Sequence, residues 1–231
     1  MGKAIIALAL IMCSLLILPL VAEKPLTVVD YYNAISGDKL TLQKGEWVST
    51  RQIEAMGNYF QYNPAVVDIK NGYIEFEKGG AGGEREQHVL FLMKDGTPVI
   101  GKNYSASSDG LCDFYSSIEF KQKAGGGWKD ITSRAMPKLD CALFLKKNYD
   151  TKKYNDKVLS LIRKYGKFIY QLPRYGLKVK IWVMTAPIRP GCRNSLNDSE
   201  KLILNGIGDL DIFRQREMTW DVESGTFKML D

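Results

Sequence analysis

Glycine-containing turns between short apolar runs constrain the fold of this chain more than any other feature. The turns are Asn71-Gly72, Asp95-Gly96, Gly125-Gly126-Gly127 and Ser224-Gly225. Asn-Gly and Asp-Gly provide the positive φ angles that tight β-hairpin turns require. The apolar runs that they join are 65–70 with 73–77, 88–93 with 98–104, 114–121 with 128–132, and 218–222 with 226–230. The sequence therefore predicts consecutive antiparallel strands, a β-meander.

Two segments have helical rather than strand periodicity. Residues 25–35 place Val28, Tyr31, Tyr32 and Ile35 on one face and predict a short N-terminal helix. Residues 155–165 begin at a capping Asn155, contain an apolar stripe and end before Gly166, which predicts one amphipathic helix. Further strands are expected at 168–172 and 177–183, a short irregular piece at 137–145, and a long loop at 185–200. The predicted fold class is α+β, mostly β.

The first 22 residues have the layout of a secretory signal peptide. Lys3 precedes an apolar run that ends in Val21-Ala22, before the polar Glu23. We therefore expect export to the periplasm, the outer envelope or the medium. A retained membrane anchor and a lipidated Cys13 are the alternatives. Residues 23–231 are predicted to form one β-rich domain, with two lobes split near 137–157 as the alternative.

Positive charge is concentrated in one segment, residues 146–180. It contains eleven basic and two acidic residues, a local charge of +9. The whole chain carries +6, and Lys3 of the leader accounts for one of these charges, which leaves −4 on the rest of the mature protein. Such a segment can bind an anionic lipid, lipopolysaccharide or an acidic polysaccharide, and no nucleic acid is expected. The candidate anion-binding residues are Lys152, Lys153, Arg163, Lys164 and Arg174. The alternative is a solvated face whose lysines discourage edge-to-edge strand pairing.

Three cysteines remain after the leader: Cys112, Cys141 and Cys192. In an oxidising compartment one disulfide can form. The pair closest in sequence, Cys112 with Cys141, is favoured, and three buried thiols are the alternative. The chain contains neither a CxxC motif nor a Cys/His cluster, so neither a structural zinc site nor another metal or cofactor is expected.

The common catalytic motifs are absent from the sequence. The single histidine, His88, lies in an apolar run and is expected to be structural, and neither G-x-S-x-G nor H-E-x-x-H occurs. The glycine-rich residues 79–83 are followed by Glu84 and Glu86 instead of the Lys-Ser/Thr of a phosphate-binding loop. Paired carboxylates remain a candidate chemistry, because 26 acidic residues offer many combinations.

Two strings, residues 126–132 (GGWKDIT) and 168–176 (FIYQLPRYG), resemble uncharacterised secreted β-rich proteins of Bacteroidetes-type bacteria. The resemblance implies a bacterial envelope protein and no activity. The sequence as a whole favours a secreted or periplasmic, non-enzymatic binding module. The alternative is an extracellular glycan hydrolase that uses paired carboxylates.

Overall fold

The computed structural model describes residues 26–55, 58–78, 83–107, 112, 114–146, 156–185, 190–204 and 213–230. The helices are α1 (Val28–Ile35), α2 (Thr132–Ala135), α3 (Asp156–Tyr165) and α4 (Asp198–Ile203), with 3-10 turns at Cys141–Phe144 and Pro190–Ser195. The strands are β1 (Leu40–Gln43), β2 (Glu46–Ser49), β3 (Gln52–Ala55), β4 (Asn58–Gln61), β5 (Val66–Asp68), β6 (Tyr73–Lys78), β7 (Glu84–Leu92), β8 (Pro98–Ser107), β9 (Phe114–Ala124), β10 (Gly127–Asp130), β11 (Lys167–Gln171), β12 (Lys178–Met184), β13 (Arg216–Asp221) and β14 (Thr226–Met229). The predicted fold class, mostly β with antiparallel sheets and a short N-terminal helix, is confirmed.

The largest sheet has six strands in the order β10-β9-β8-β7-β6-β5, so every strand pairs with its neighbour in sequence. All four predicted hairpins form, three of them in this sheet. At the turn between β5 and β6, Gly72 has φ +66°, a conformation that side chains with a Cβ rarely adopt. The turn residues identified in the sequence therefore fix the order of these strands.

A second, four-stranded sheet has the order β11-β12-β13-β14 and is also antiparallel throughout. Its side chains meet one face of the six-stranded sheet, here called the inner face, in a shared core. Four aromatic rings lie at its centre: those of Phe91, Phe120, Trp220 and Phe227, with centroids 4.9–6.2 Å apart. The inner face needs a glycine at Gly101, where an added Cβ would lie 2.8 Å from the ring of Phe120.

The other face of the six-stranded sheet, here called the outer face, is partly covered by α1. Thr27 caps this helix in a capping box with Asp30, so the helix begins at Val28 within the predicted range 25–35. Its buried Tyr32 packs on Phe76 of β6, with ring centroids 5.7 Å apart. The other buried members of this second, smaller core are Val28, Val29, Leu40, Tyr62, Ile74 and Ile100. Tyr62, which follows β4, also packs on Phe76, so α1 is one of several segments that cover this face.

Several elements were not predicted. The hairpins β1–β2 and β3–β4 lie in residues for which no individual strand was predicted. Helix α4 lies at the end of the segment 185–200, which was predicted to be a loop, and there the structure differs because Asn197 and Glu200 form a capping box. The amphipathic helix predicted at 155–165 is confirmed as α3, over Asp156–Tyr165.

The predicted leader, residues 1–22, lies outside the described residues, as do residues 147–155 of the segment 137–157 where two lobes were considered as an alternative. Single-domain organisation stays a prediction. Within the residues that the structure describes, no helix has the length and apolar character needed to cross a membrane.

Candidate functional site

The predicted anion-binding residues do not form one cluster in the part of the chain that the structure describes. Lys152 and Lys153 lie outside it. Each of the other three contacts a carboxylate: Arg163 with Asp140 (3.4 Å), Lys164 with Glu200 (2.7 Å) and Arg174 with Asp68 (3.0 Å). These carboxylates belong to three different segments. Acidic residues from elsewhere in the chain therefore partly neutralise the basic segment.

The structure corrects the predicted disulfide. Cys112 is bonded to Cys192, 80 residues further along the chain, and the predicted Cys112–Cys141 pair is wrong. The reason is that Cys141 belongs to the main core, where its sulfur lies against Gly166 at the end of α3. Burial raises the pKa of the Cys141 thiol, which disfavours the reactive thiolate. Distance along the chain was a poor guide because the fold brings Cys192 back to Cys112.

On the outer face, the single histidine is held by a carboxylate. His88 Nε2 lies 2.7 Å from Glu86 Oε1, and both residues are on β7, two positions apart, so they share a face. The two residues are only 2% and 4% exposed. Glu86 Oε2 also lies 3.0 Å from Arg51 Nη1 and 3.7 Å from Lys102 Nζ. Two cations and one imidazole thus surround one buried carboxylate.

This arrangement sets the protonation state of the pair. Burial opposes ionisation of Glu86, but the hydrogen bond from His88 and the charges of Lys102 and Arg51 outweigh it, and the pKa of Glu86 falls to about 2. Burial lowers the pKa of His88, while Glu86 acts in the opposite direction. An ionised carboxylate only accepts hydrogen bonds, so a neutral His88 donates through Nε2–H and its Nδ1 carries the lone pair.

His88 Nδ1 is buried and has no hydrogen-bond partner among the described residues. His88 lines a cavity of about 80 Å³ at the C-terminal end of α1. Its apolar walls are Ile35 and Ile100, and its polar groups come from Ser36, Lys102, Glu119 and Lys121. A volume of this size holds several water-sized groups. The residues that line the cavity therefore combine a histidine with an unpartnered buried Nδ1 atom, two lysines and one carboxylate.

The strand register explains how these residues meet. His88 pairs directly with Lys102 across β7 and β8, and Lys102 pairs with Glu119 across β8 and β9. Directly opposed residues share a sheet face, so the three side chains form one row on the outer face. The Asp95-Gly96 turn in the sequence signalled the hairpin but not this register: a two-residue turn would set position 103 opposite position 88, whereas the three-residue connection between Met93 and Thr97 sets Lys102 there. No sequence signal predicted that Ile35 and Ser36, at the end of α1, line the cavity.

A second polar cluster lies on the inner face, and most of its polar atoms are hydrogen-bonded; Asn103 Oδ1 is buried without a partner among the described residues. Glu75 accepts hydrogen bonds from Arg85, Gln87 and Tyr73, and its pKa is lowered because these donors outweigh its burial. The Gln87 carbonyl accepts from Asn103 Nδ2 and from the backbone N–H of Leu172. These bonds connect the two sheets. The cluster therefore has the character of a structural network.

The two other candidate chemistries are metal binding and hydrolysis by paired carboxylates. Neither has a specific arrangement of side chains in the described part of the chain. There, no group of three or more His, Cys, Asp or Glu side chains is placed to hold a metal ion. The buried carboxylates Glu75, Glu86 and Glu200 are each engaged by a cation.

No protein-family model matches the chain, and no curated protein matches it either. The chain is similar to a solved structure described as a domain of an uncharacterized protein from Porphyromonas gingivalis W83. The two are 14% identical, the match covers 78% of each chain, and the TM-score is 0.49. A likeness at this level supports no inference about family or function. The resemblance to secreted Bacteroidetes-type proteins stays a prediction.

Proposed function

We propose that this protein is an exported, non-enzymatic binding module for an anionic partner, and that the partner's charged group binds in the cavity beside His88. The supporting observation is that His88, whose buried Nδ1 atom has no hydrogen-bond partner among the described residues, lines a cavity together with Lys102 and Lys121. A buried polar atom without a hydrogen bond costs free energy. A ligand that supplies the missing donor recovers that cost.

Export is supported by two independent features. Residues 1–22 have the pattern of a signal peptide. The Cys112–Cys192 disulfide is of the kind that persists in oxidising compartments such as the periplasm or the medium.

The cavity is a better candidate than the basic segment because its cations are less fully paired. In the segment, Lys164 lies 2.7 Å from Glu200 and Arg174 lies 3.0 Å from Asp68. In the cavity, the ammonium of Lys102 lies at the longer distance of 3.7 Å from Glu86. The segment remains the alternative surface, with Lys152, Lys153, Arg163, Lys164 and Arg174 as its candidate contacts.

An extracellular glycan hydrolase is the alternative function. Such an enzyme uses two carboxyl groups roughly 5–10 Å apart on either side of the scissile bond. Among the described residues that line the cavity, Glu119 is the one carboxylate. The closest buried carboxylate, Glu86, is held by His88 and Arg51. The cavity therefore favours binding over hydrolysis.

The single histidine permits a direct test, because every imidazole signal in an NMR spectrum of the mature protein belongs to His88. A long-range ¹H–¹⁵N spectrum is expected to show the neutral tautomer with the proton on Nε2. Anionic vesicles, lipopolysaccharide and acidic polysaccharide are then added in turn at low salt. We expect at least one of these probes to shift the Nδ1 resonance. Added salt should abolish the shift, and the probe should be recovered chemically unchanged.

Two variants locate the contact. Lys121→Met is expected to weaken binding, and the five-fold charge reversal of the basic-segment residues to Glu is expected to leave the His88 shift in place. Binding that leaves the His88 signals unmoved and disappears in the five-fold variant would refute the cavity as the site. Release of new reducing ends from the polysaccharide would favour the hydrolase instead.

A further inference from the structure

The outer face continues beyond the cavity as a row of aromatic side chains. Tyr104 follows Lys102 at the next outward-facing position of β8, and Tyr115 lies on the same face of β9, four residues before Glu119. The rings of Tyr104 and Tyr115 contact each other, with centroids 5.9 Å apart. Tyr115 is 56% exposed. Two adjoining phenol rings therefore form a partly exposed platform beside the cavity.

The cavity itself defines the chemistry of the group that it can hold. Nδ1 of a neutral His88 accepts a hydrogen bond, so the ligand must present a donor such as a hydroxyl group. Lys102 and Lys121 line the same cavity as the single carboxylate Glu119, and this excess of positive charge favours a negative group, which on a hydroxylated molecule is supplied by a carboxylate. Ile35 and Ile100 offer apolar walls to C–H groups. A carboxylate with a neighbouring hydroxyl meets all three requirements.

The cavity and the platform lie within reach of a single chain molecule. Positions two apart on a strand are separated by about 7 Å, which is the step from Lys102 to Tyr104 along β8. Sugar rings have an apolar C–H face that packs on aromatic side chains, whereas a flat lipid surface gains nothing from a cavity. The combination favours a hydroxylated acidic chain over a membrane.

We propose that the outer face binds an acidic oligosaccharide, with the carboxylate and a hydroxyl of one uronic acid residue in the cavity and the adjacent sugar on Tyr104 and Tyr115. The proposal rests on the proposed function, because it uses the same cavity. It adds the ligand class and the second contact. A free hydroxy acid shares the chemistry of the cavity, but it is too short to reach the platform.

Calorimetric titration distinguishes an acidic oligosaccharide from a free hydroxy acid as the ligand. The three probes are trigalacturonate, the galacturonate monomer and the neutral trisaccharide maltotriose. We expect the trimer to bind most tightly, the monomer more weakly and maltotriose not at all. Tyr115→Ala should weaken the trimer at least ten-fold and leave the monomer unchanged. Lys121→Met should weaken both probes. Tyr175→Ala removes a similarly exposed tyrosine outside the outer face and should change neither, which makes it the matched control.

The outcomes distinguish the two proposals. Equal binding of monomer and trimer, or a trimer affinity that Tyr115→Ala leaves intact, would overturn the oligosaccharide site while keeping an anion site at His88. Vesicles that shift the His88 resonance when neither saccharide does would also overturn it. Tight binding of maltotriose would contradict both proposals, and so would a His88 signal that no anionic probe moves.

Discussion

Removing the Cys112–Cys192 disulfide is expected to destabilise the protein more than any single surface substitution. The disulfide joins residues separated by 80 positions and encloses β9 to β12. In the chain-entropy model, opening a loop of that length releases about 15 cal/mol/K of denatured-state entropy, or about 4.5 kcal/mol at 25 °C. A small domain has only about 5–15 kcal/mol of stability in total. The variant Cys112→Ala/Cys192→Ala should therefore lose a large part of its free energy of unfolding.

Urea denaturation of four samples measures this effect: the oxidised protein, the protein in reductant, the double variant, and Cys141→Ala. The reduced protein and the double variant should agree with each other, and both should unfold at much lower urea than the oxidised protein. Cys141→Ala should lose about 1 kcal/mol, the centre of the range for single substitutions, and should keep the disulfide. Equal stability of the oxidised protein and the double variant would refute the reasoning. Peptide mapping that joins Cys112 to Cys141 would refute the pairing itself.

Two further outcomes follow from the packing and the charges. Gly101→Ala should cost about 1–3 kcal/mol in urea denaturation, because its Cβ would lie 2.8 Å from the Phe120 ring. Gly37→Ala, with open space around it, should stay within about 0.5 kcal/mol of the parent. Because burial holds the pKa of His88 below its ordinary 6.5, the unfolded chain binds a proton below pH 6.5 that the folded chain does not. The free energy of unfolding should therefore fall as the pH drops below about 6.5, by at most about 1.4 kcal/mol per pH unit. His88→Gln should lack this slope. An identical slope in the variant would assign the effect to other groups.

The charge distribution illustrates how far sequence reasoning reaches. The excess of lysine and arginine in residues 146–180 is real and was visible in the sequence. What the sequence could not show is that Asp140, Glu200 and Asp68 come to lie beside Arg163, Lys164 and Arg174. Two of these pairs join residues more than 30 positions apart in sequence. Their closeness in space depends on the packing of whole elements.

The candidate site also combines features that the sequence predicts with features that only the tertiary structure shows. Two-residue periodicity alone places Glu86 and His88 on one face of β7. The Asp95-Gly96 turn predicts the hairpin, but a two-residue turn would set Asn103 opposite His88, and the three-residue connection between Met93 and Thr97 sets Lys102 there instead. The burial of Glu86 and His88 on that face depends on residues outside the hairpin. Tyr32 of α1 packs edge-on against the His88 ring, with centroids 4.9 Å apart, and Arg51 reaches Glu86 from the segment after β2. These contacts help to bury the pair, and no local pattern predicts them.

The sequence by itself determined the class of fold, the hairpin order and the two principal helices, because these depend on turn chemistry and periodicity within a few neighbouring residues. Only the tertiary structure decided the disulfide partner, the pairing of the basic residues and the environment of His88. These features depend on contacts between distant segments, such as Cys112 with Cys192. Such contacts form where packing of the two sheets and α1 leaves room for them, and packing is a property of the whole chain rather than of any stretch within it.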